Sequence, residues 1–436
     1  MNAILKKTLM IGGAALLLAV SVLSAEGGER LTLERSVRLA LERNLDVLSA
    51  RTEREKTEGA LISARSALSP SLTLSGSSTR REDNGAAPER ADSAAITLSQ
   101  TLYAGGTLRA GERQAVLDSR KAAEELEYAK ESVAQAVCAS WYNVLQTEAD
   151  LRTAEETLAY YTTSWTDFKK RVELGLSTKL ELARADQQRV NAEAEFIGAK
   201  NELAKAKVSL LTLLRIDPTT EVEIDGSLET VAVDGDAKRS LEKALSTRSD
   251  LHALVSEEEA RKEAVVVASG GMKPTVKVSA SYRFNDTSSS FAADNANEWT
   301  ATLSVTVPLY DGGYAKGRVR SEKALQEQAR QSTEKKRDVI REEILTAWMT
   351  LVSTLETAEA AKQNVGLARE SLRLAEVGRR EGVNTQLDVL QARSALTEAL
   401  QKLAGALKEH NLAFVALRMA EGTLASVFEN SFIKGE

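Results

Sequence analysis

Cysteine, proline and histidine are almost missing from this chain of 436 residues, which has 1 Cys, 5 Pro and 2 His, and aromatic residues make up only 4%. A single thiol, Cys138, excludes an intramolecular disulfide. It follows Val137 in a helical pattern, where a buried thiol is expected rather than a reactive one. Scarce proline beside abundant Ala, Leu, Glu, Arg and Lys favours long helices over compact globules. His252 and His410 have no neighbours at metal-ligand spacing, no serine elbow or glycine-rich phosphate loop follows a strand, and the Glu–Lys pairs are spaced for helix surfaces. No catalytic residue, metal ligand or cofactor is assigned, and an enzyme is not expected. The net charge of −6 comes from interspersed acidic and basic residues, so no basic face is offered to nucleic acid.

Long hydrophobic runs are also lacking beyond the N-terminus. Residues 1–25 read as an export signal, with Lys6 and Lys7 as the positive region, Leu9 to Leu23 as the apolar region, and Ser24-Ala25 supplying small residues for cleavage. No cysteine follows it, so a lipid anchor on the mature N-terminus is not expected. An exported chain without a membrane helix is either soluble in the periplasm or beyond, or held in a membrane by strands.

What the sequence does contain is an internal repeat at an offset of about 205 residues. Pro70-Ser-Leu-Thr-Leu-Ser returns as Pro274-Thr-Val-Lys-Val-Ser, and Leu102-Tyr103-Ala-Gly-Gly as Leu309-Tyr310-Asp-Gly-Gly. Val133, Val137, Trp141 and Leu145 return as Ile340, Ile344, Trp348 and Val352. The division expected is a first repeat over 26–217, a connector over 218–240, a second repeat over 241–425 and a tail over 426–436. Each repeat reads helix, strand, strand, long helix, turn, helix.

In the first repeat a helix over 32–68 is closed by Pro70. Alternation of apolar and small polar residues then predicts strands over about 71–78 and 94–103, and over about 275–284 and 299–310 in the second repeat. From Glu112 to Leu174 there is neither Gly nor Pro, and a helix over about 107–174 would reach roughly 100 Å. The return helix over 177–215 spans only about 60 Å, and the helix before the strands makes up the difference by stacking on its end. No core is available to cover the strands from both sides, so their apolar face is expected to meet lipid, with Tyr282 and Trp299 at the membrane interface. Four strands are too few to close a barrel, and closure demands several chains.

Taken in order and twice over, the Tyr103-Ala-Gly-Gly and Tyr310-Asp-Gly-Gly corners and the two hairpin tips resemble the TolC family of outer membrane efflux and secretion channels, over about 30–425. That resemblance implies a mainly α fold with a small transmembrane β part: a homotrimer with a 12-stranded β-barrel and an α-barrel of coiled-coil hairpins crossing the periplasm. It further implies docking to a periplasmic adaptor (membrane fusion) protein and, through it, to an inner membrane transporter of the RND, ABC or MFS class. Adaptor contact would fall on Gly175, Leu176, Ser177 and Thr178 and on Gly382, Val383, Asn384 and Thr385. The periplasmic gate would use Asp388 and Gln391, with Glu181 and Arg379 as a polar latch. The readings set against this are a trimeric surface adhesin and a periplasmic coiled-coil scaffold, whose strands would be consecutive or soluble.

Overall fold

The computed structural model describes residues 29–81, 89–232, 235–288 and 297–433. The expected export signal and parts of both strand-connecting loops lie outside these residues.

The first long helix, α3, runs Thr107–Glu173 and its counterpart α7 runs Tyr314–Arg380, 67 residues each and therefore ~100 Å long. Each returns as a helix of 35 residues, α4 (Lys179–Leu213) and α8 (Gln386–Ala420). The reach is completed by α2 (Leu45–Ser66) beside α3 and by α6 (Ser249–Ser269) beside α7. Because α6 and α8 touch both α3 and α7, the rods stand in a row: α2 with α4, then α3, then α6 with α8, then α7.

The seam between α7 and α8 shows why these segments stay straight for so long. Ile344, Leu351, Ala358, Val365 and Leu372 are buried at every seventh position of α7. On α8 the buried positions Val389, Ala392, Leu396 and Ala399 and then His410, Ala413, Leu417 and Ala420 keep the alternating spacing of three and four. A strict seven-residue repeat winds two helices into a left-handed coiled coil, and alanine at alternate core positions lets the backbones approach. Where His410 replaces an apolar core residue, its Nε2 donates to Val231 O at 2.9 Å, and Asn411 Nδ2 donates to Glu229 O at 2.9 Å. These bonds strap the connector across one face of α8. Upstream, the connector's strand β4 (Val222–Ile224) lies parallel to β1 (Glu29–Leu31).

The expected single helix over 32–68 is in fact two, α1 (Leu33–Arg43) and α2, broken at Asn44. The Asn44 side chain accepts from Asp46 N at 2.9 Å while its N–H closes α1 on Ala40 O at 2.8 Å. Asparagine competes with the helix through its own side chain, and so serves as end and start together. In the second repeat Arg248 holds the same place between α5 (Ala237–Thr247) and α6. It is 5% exposed. Its guanidinium donates to Asp250 at 2.6 and 2.9 Å, to Glu343, and to Ala420 O at 3.3 Å, while Lys336 reaches Asp250 at 2.7 Å. Nearby, buried Glu421 is held by Ser240 at 2.6 Å, Lys243 at 3.0 Å and Arg418 at 3.1 Å. The short C-terminal helix α9 (Leu424–Ile433) crosses back, so that Leu424 and Phe428 join the core around Trp141 and Leu210 of the first repeat.

The four longer strands, β2 (Ser71–Arg81), β3 (Glu89–Ala104), β5 (Thr275–Ser288) and β6 (Glu298–Thr306), form one antiparallel sheet in the order β2-β3-β5-β6. The two hairpins, remote in sequence, thus join through β3 and β5. One face carries Leu72, Leu98, Ala280 and Ala301 in one row and Leu74, Ile96, Tyr282 and Trp299 in the next. The opposite face is hydroxyl in its middle rows, Ser71, Ser99, Ser279 and Thr302, then Thr73, Thr97, Ser281 and Thr300, with Lys277 in the row on one side and Arg283 beside Glu298 in the row on the other. Its side chains bond to one another, Ser71 to Ser99 and Ser77 to Ser93 at 2.9 Å each. The last strand was expected to reach 310 but ends at Thr306, because β5 begins at Thr275 after Pro274 and leaves Val307–Tyr310 without a partner in one chain.

Removing Arg248 would leave Asp250 to Lys336 alone and Glu343 without its cation, a loss of about 3 kcal/mol, the lower end of the range for breaking a buried pair, whereas Asn44→Ala removes a cap worth about 1. Thermal unfolding in detergent should rank them in that order. Burial pushes the Asp250 carboxyl up, but hydrogen bonds from Arg248 and Lys336 and their charges outweigh it and hold it below its ordinary value. The stabilisation is therefore complete above about pH 4 and is lost as pH falls through the lower folded-state value. The gap between wild type and Arg248→Ala should narrow below about pH 4; a gap unchanged down to pH 3 would contradict this.

Candidate functional site: the hairpin tips and the membrane sheet

Both tips turn in the same way. The α3 helix closes with Leu176 N on Arg171 O at 2.7 Å and Gly175 at φ +70°, and α7 with Val383 N on Gly378 O at 2.8 Å and Gly382 at φ +77°. This is the six-to-one closure that a glycine beyond the helix end permits. The next helix then starts on a reciprocal cap. Thr178 Oγ1 accepts from Glu181 N at 3.2 Å while Glu181 accepts from Thr178 N at 2.9 Å; Thr385 and Asp388 do the same at 3.3 and 2.7 Å.

The two carboxylates expected at the gate are therefore also capping groups. Hydrogen bonds from the Thr385 hydroxyl and N–H hold Asp388 below its ordinary value, and those from the Ser177 hydroxyl and the Thr178 N–H and hydroxyl do so for Glu181. Within one chain Glu181 and Arg379 do not pair, since Arg379 Nη1 donates to Gln386 Oε1 at 2.6 Å. The reason is placement: α4 and α7 stand at opposite ends of the row of rods.

The second tip is the tighter. Asn384 Nδ2 reaches Ala375 O at 3.5 Å by lying on Gly378, where an added Cβ would come within 2.5 Å of that amide. Gly378 has Arg171 as its counterpart in the first tip, and Asn384 has Ser177. Beside Leu176 and Val383, which were expected at the tips, Leu174, Leu180 and Leu387 stand 72%, 61% and 61% exposed and were not expected. Apolar residues beside a helix-ending glycine were the available signal. Above the tips, Gln391 lines a polar cleft of about 410 Å³ between α3, α4 and α8, with Thr157, Gln188 and Glu398 among its walls. Thr157 and Thr397 meet across it at 3.2 Å, and the Arg393 guanidinium lies 4.9 Å over the Tyr160 ring.

On the sheet, Tyr282 faces Trp299 directly, and Phe284 packs edge-on to Tyr282 at 4.7 Å. A second aromatic level was missed. Tyr103 pairs with Val276 because a bulge at Leu102 shifts the register, which turns Tyr103 from the hydroxyl face to the apolar one. It lies seven residues from Ile96, about 24 Å along the strand, a separation suited to a bilayer's apolar band once the strand tilts. Among the described residues no helix is long and apolar enough to cross a membrane and no acidic, histidine or cysteine cluster could hold a metal ion.

A sheet with a lipid-suited band on one face and hydroxyls on the other, continued by rods of ~100 Å, defines one staff of a membrane-anchored tunnel. The chain belongs to the outer membrane efflux protein family, whose model matches residues 37–214 and 240–423, one match for each repeat. It is similar to outer membrane protein TolC of Vibrio cholerae, at 24% identity over 397 residues covering 88% of this chain and 89% of that protein. It is likewise similar to outer membrane efflux protein BepC of Brucella suis, at 24% over 421 residues covering 95% and 90%. Its fold matches the CmeC outer membrane channel of Campylobacter jejuni with a TM-score of 0.80 at 17% identity, over 89% of this chain and 85% of that one. It functions in the outer membrane, with its helical tunnel in the periplasm.

Alanine normally stabilises a helix over glycine by up to about 1 kcal/mol. At Gly378 the sign should reverse locally, since the new methyl displaces Asn384. Amide exchange at residues 382–385 should quicken in Gly378→Ala and likewise in Asn384→Ala, with little further change when the two are combined. Equal protection in wild type and both single variants would show that Asn384 does not hold the tip.

Proposed function

We propose that three copies close into a 12-stranded barrel and a continuous α-barrel, making the passive exit duct of a tripartite efflux pump or a type I secretion system. The observation that carries this reading is that strands and rods run in the same order: β2 follows α2, β3 precedes α3, β5 follows α6 and β6 precedes α7. Both layers are thus open at the same two edges, and one rotation satisfies both. Exposed apolar side chains line those edges, Val190 and Ile197 on α4, Met349 and Leu367 on α7.

The exposed leucines and valine around Gly175 and Gly382 give a periplasmic adaptor an apolar surface to cover, and the adaptor links the duct to an RND, ABC or MFS transporter. Asp388 stands four heptads before Ala416, so both face the side of α8 opposite Asn411 and the strapped connector. With the connector outside, Asp388 and Gln391 face the lumen, and three copies of Asp388 form one acidic ring at the tip, below a neutral ring of Gln391. Arg379 on α7 would meet Glu181 on α4 of the next copy, the ends of the row being neighbours in a ring. No reaction is assigned to the chain.

Native mass in detergent should correspond to three chains. In planar bilayers Asp388→Ala should lower cation-over-anion selectivity and relieve block by divalent cations. Identical selectivity and block in Asp388→Ala would remove Asp388 from the gate.

A further inference from the structure

Between its rows of hydroxyls and the tunnel, the sheet carries one charge that nothing answers. Lys277 stands on the hydroxyl face of β5, directly opposite Thr101 of β3 and Ser304 of β6. One step away on the same face are Thr275 and Ser279 on its own strand, Ser99 on β3, and Thr302 and Thr306 on β6. No carboxylate holds any of these places, and Lys277 makes no ion pair among the described residues. At the other end of the face Arg283 lies opposite Glu298, so those two charges offset each other. The lysine belongs to one hairpin only. In the repeated motif Pro70-Ser-Leu-Thr-Leu-Ser and Pro274-Thr-Val-Lys-Val-Ser, Lys277 takes the place of Thr73.

We infer that Lys277 from each of three copies forms a basic ring inside the periplasmic end of the barrel, which draws in the anionic groups of a passing solute. The duct is then opposite in sign at its two ends, acidic at the Asp388 tip and basic where it enters the membrane. This inference rests on the closed-ring reading, which turns the hydroxyl face inward, and adds to it the charge preference of the exit.

The dimensions let three lysines act as a ring. Twelve strands about 4.8 Å apart and tilted about 40° close at a backbone radius of about 12 Å. Lysine carries its charge at the end of a flexible four-carbon stem, which brings each ammonium to within about 8 Å of the axis. That is about one Debye length at physiological salt, and in dilute buffer the length grows to about 30 Å. Three unit charges at this range hold the lumen at a positive potential on the order of kT, and rings of basic side chains are a means by which pores favour anions. The 67 residues of α7 set the two rings ~100 Å apart, more than about ten Debye lengths, so neither field cancels the other. The side chains around Lys277 are short hydroxyls, and no cleft is built around it. The ring therefore concentrates anions without seating them. A solute bearing carboxylate or phosphate groups is repelled at the tip and attracted at the exit, and a cationic solute meets the reverse.

A thiol placed beside the ring reads the local potential. Full-length protein of three-chain native mass carrying Ser304→Cys is treated with a sulfonate-bearing and a trimethylammonium-bearing methanethiosulfonate. The ratio of the two rates cancels any change in the thiol's own reactivity, and Cys138 is fully buried and stays out of the reaction. In about 0.01 M salt, adding Lys277→Gln should lower the anion-to-cation rate ratio by about fivefold or more, while Lys277→Arg should leave it within about twofold. In about 1 M salt the difference should shrink below about twofold, because the Debye length falls to about 3 Å. Ser71→Cys lies two strands from Lys277 on the same face, and there Lys277→Gln should still lower the ratio by about twofold or more in dilute salt. A fall at Ser304→Cys with none at Ser71→Cys would reduce Lys277 to a neighbour effect and overturn the ring. Equal ratios with and without Lys277 at both thiols would overturn the ring and leave the duct, whereas a one-chain native mass would overturn both.

Discussion

A strand in hydrocarbon has no water to take its hydrogen bonds, and this sheet has two strands, β2 and β6, each with one side unpaired. That requirement governs the rest of the architecture. Because each strand continues into a helix, the order that pairs the strands is also the order in which the rods stand, and a solution for the membrane layer is imposed on a tunnel ~100 Å long. The internal repeat makes the requirement tractable: β3 pairs with β5, so two hairpins of like register are already joined within one chain and only two edges remain.

The two repeats nevertheless hold their stacked helices differently. Around Asn44 the joint is closed by a side-chain cap over an apolar cluster of Val37, Val47 and Leu214. Around Arg248 it is closed by a buried guanidinium bonded to Asp250 and Glu343, with Lys336 also on Asp250. Apolar packing tolerates small shifts of one helix along another, whereas a bidentate guanidinium fixes both distance and angle. The second repeat, which also carries the strapped connector and the tighter tip, is the more exactingly positioned half.

Much of this was legible in the sequence because it is periodic. The repeat, the two long helices and the alternation of Leu72, Leu74, Val276 and Val278 with Ser and Thr all survive in a string of letters. What failed to show depended on partners far along the chain. The break at Asn44 hides in a helical pattern, because its reason is a cap that also reaches Leu213 O. Tyr103 joins the apolar face only because of a bulge in its pairing with β5, and a bulge belongs to two strands at once. Glu181 and Arg379 looked like a pair when the tips were laid side by side, but the row of rods sets them at opposite edges.

The hydroxyl face of the sheet has a further meaning. Ser71, Thr73, Ser75 and Ser77 spend their protons on neighbouring hydroxyls or on the carbonyls of Thr97 and Ala95 across the strand. A molecule sliding past such a wall finds, between the charged side chains of Lys277, Arg283 and Glu298 on the same face, short hydroxyls that are engaged along β2, and no aromatic ring among the described residues. Lubrication is the useful comparison: flux through a conduit is limited by how long each passenger lingers, and a surface that satisfies itself gives a passenger little reason to stay.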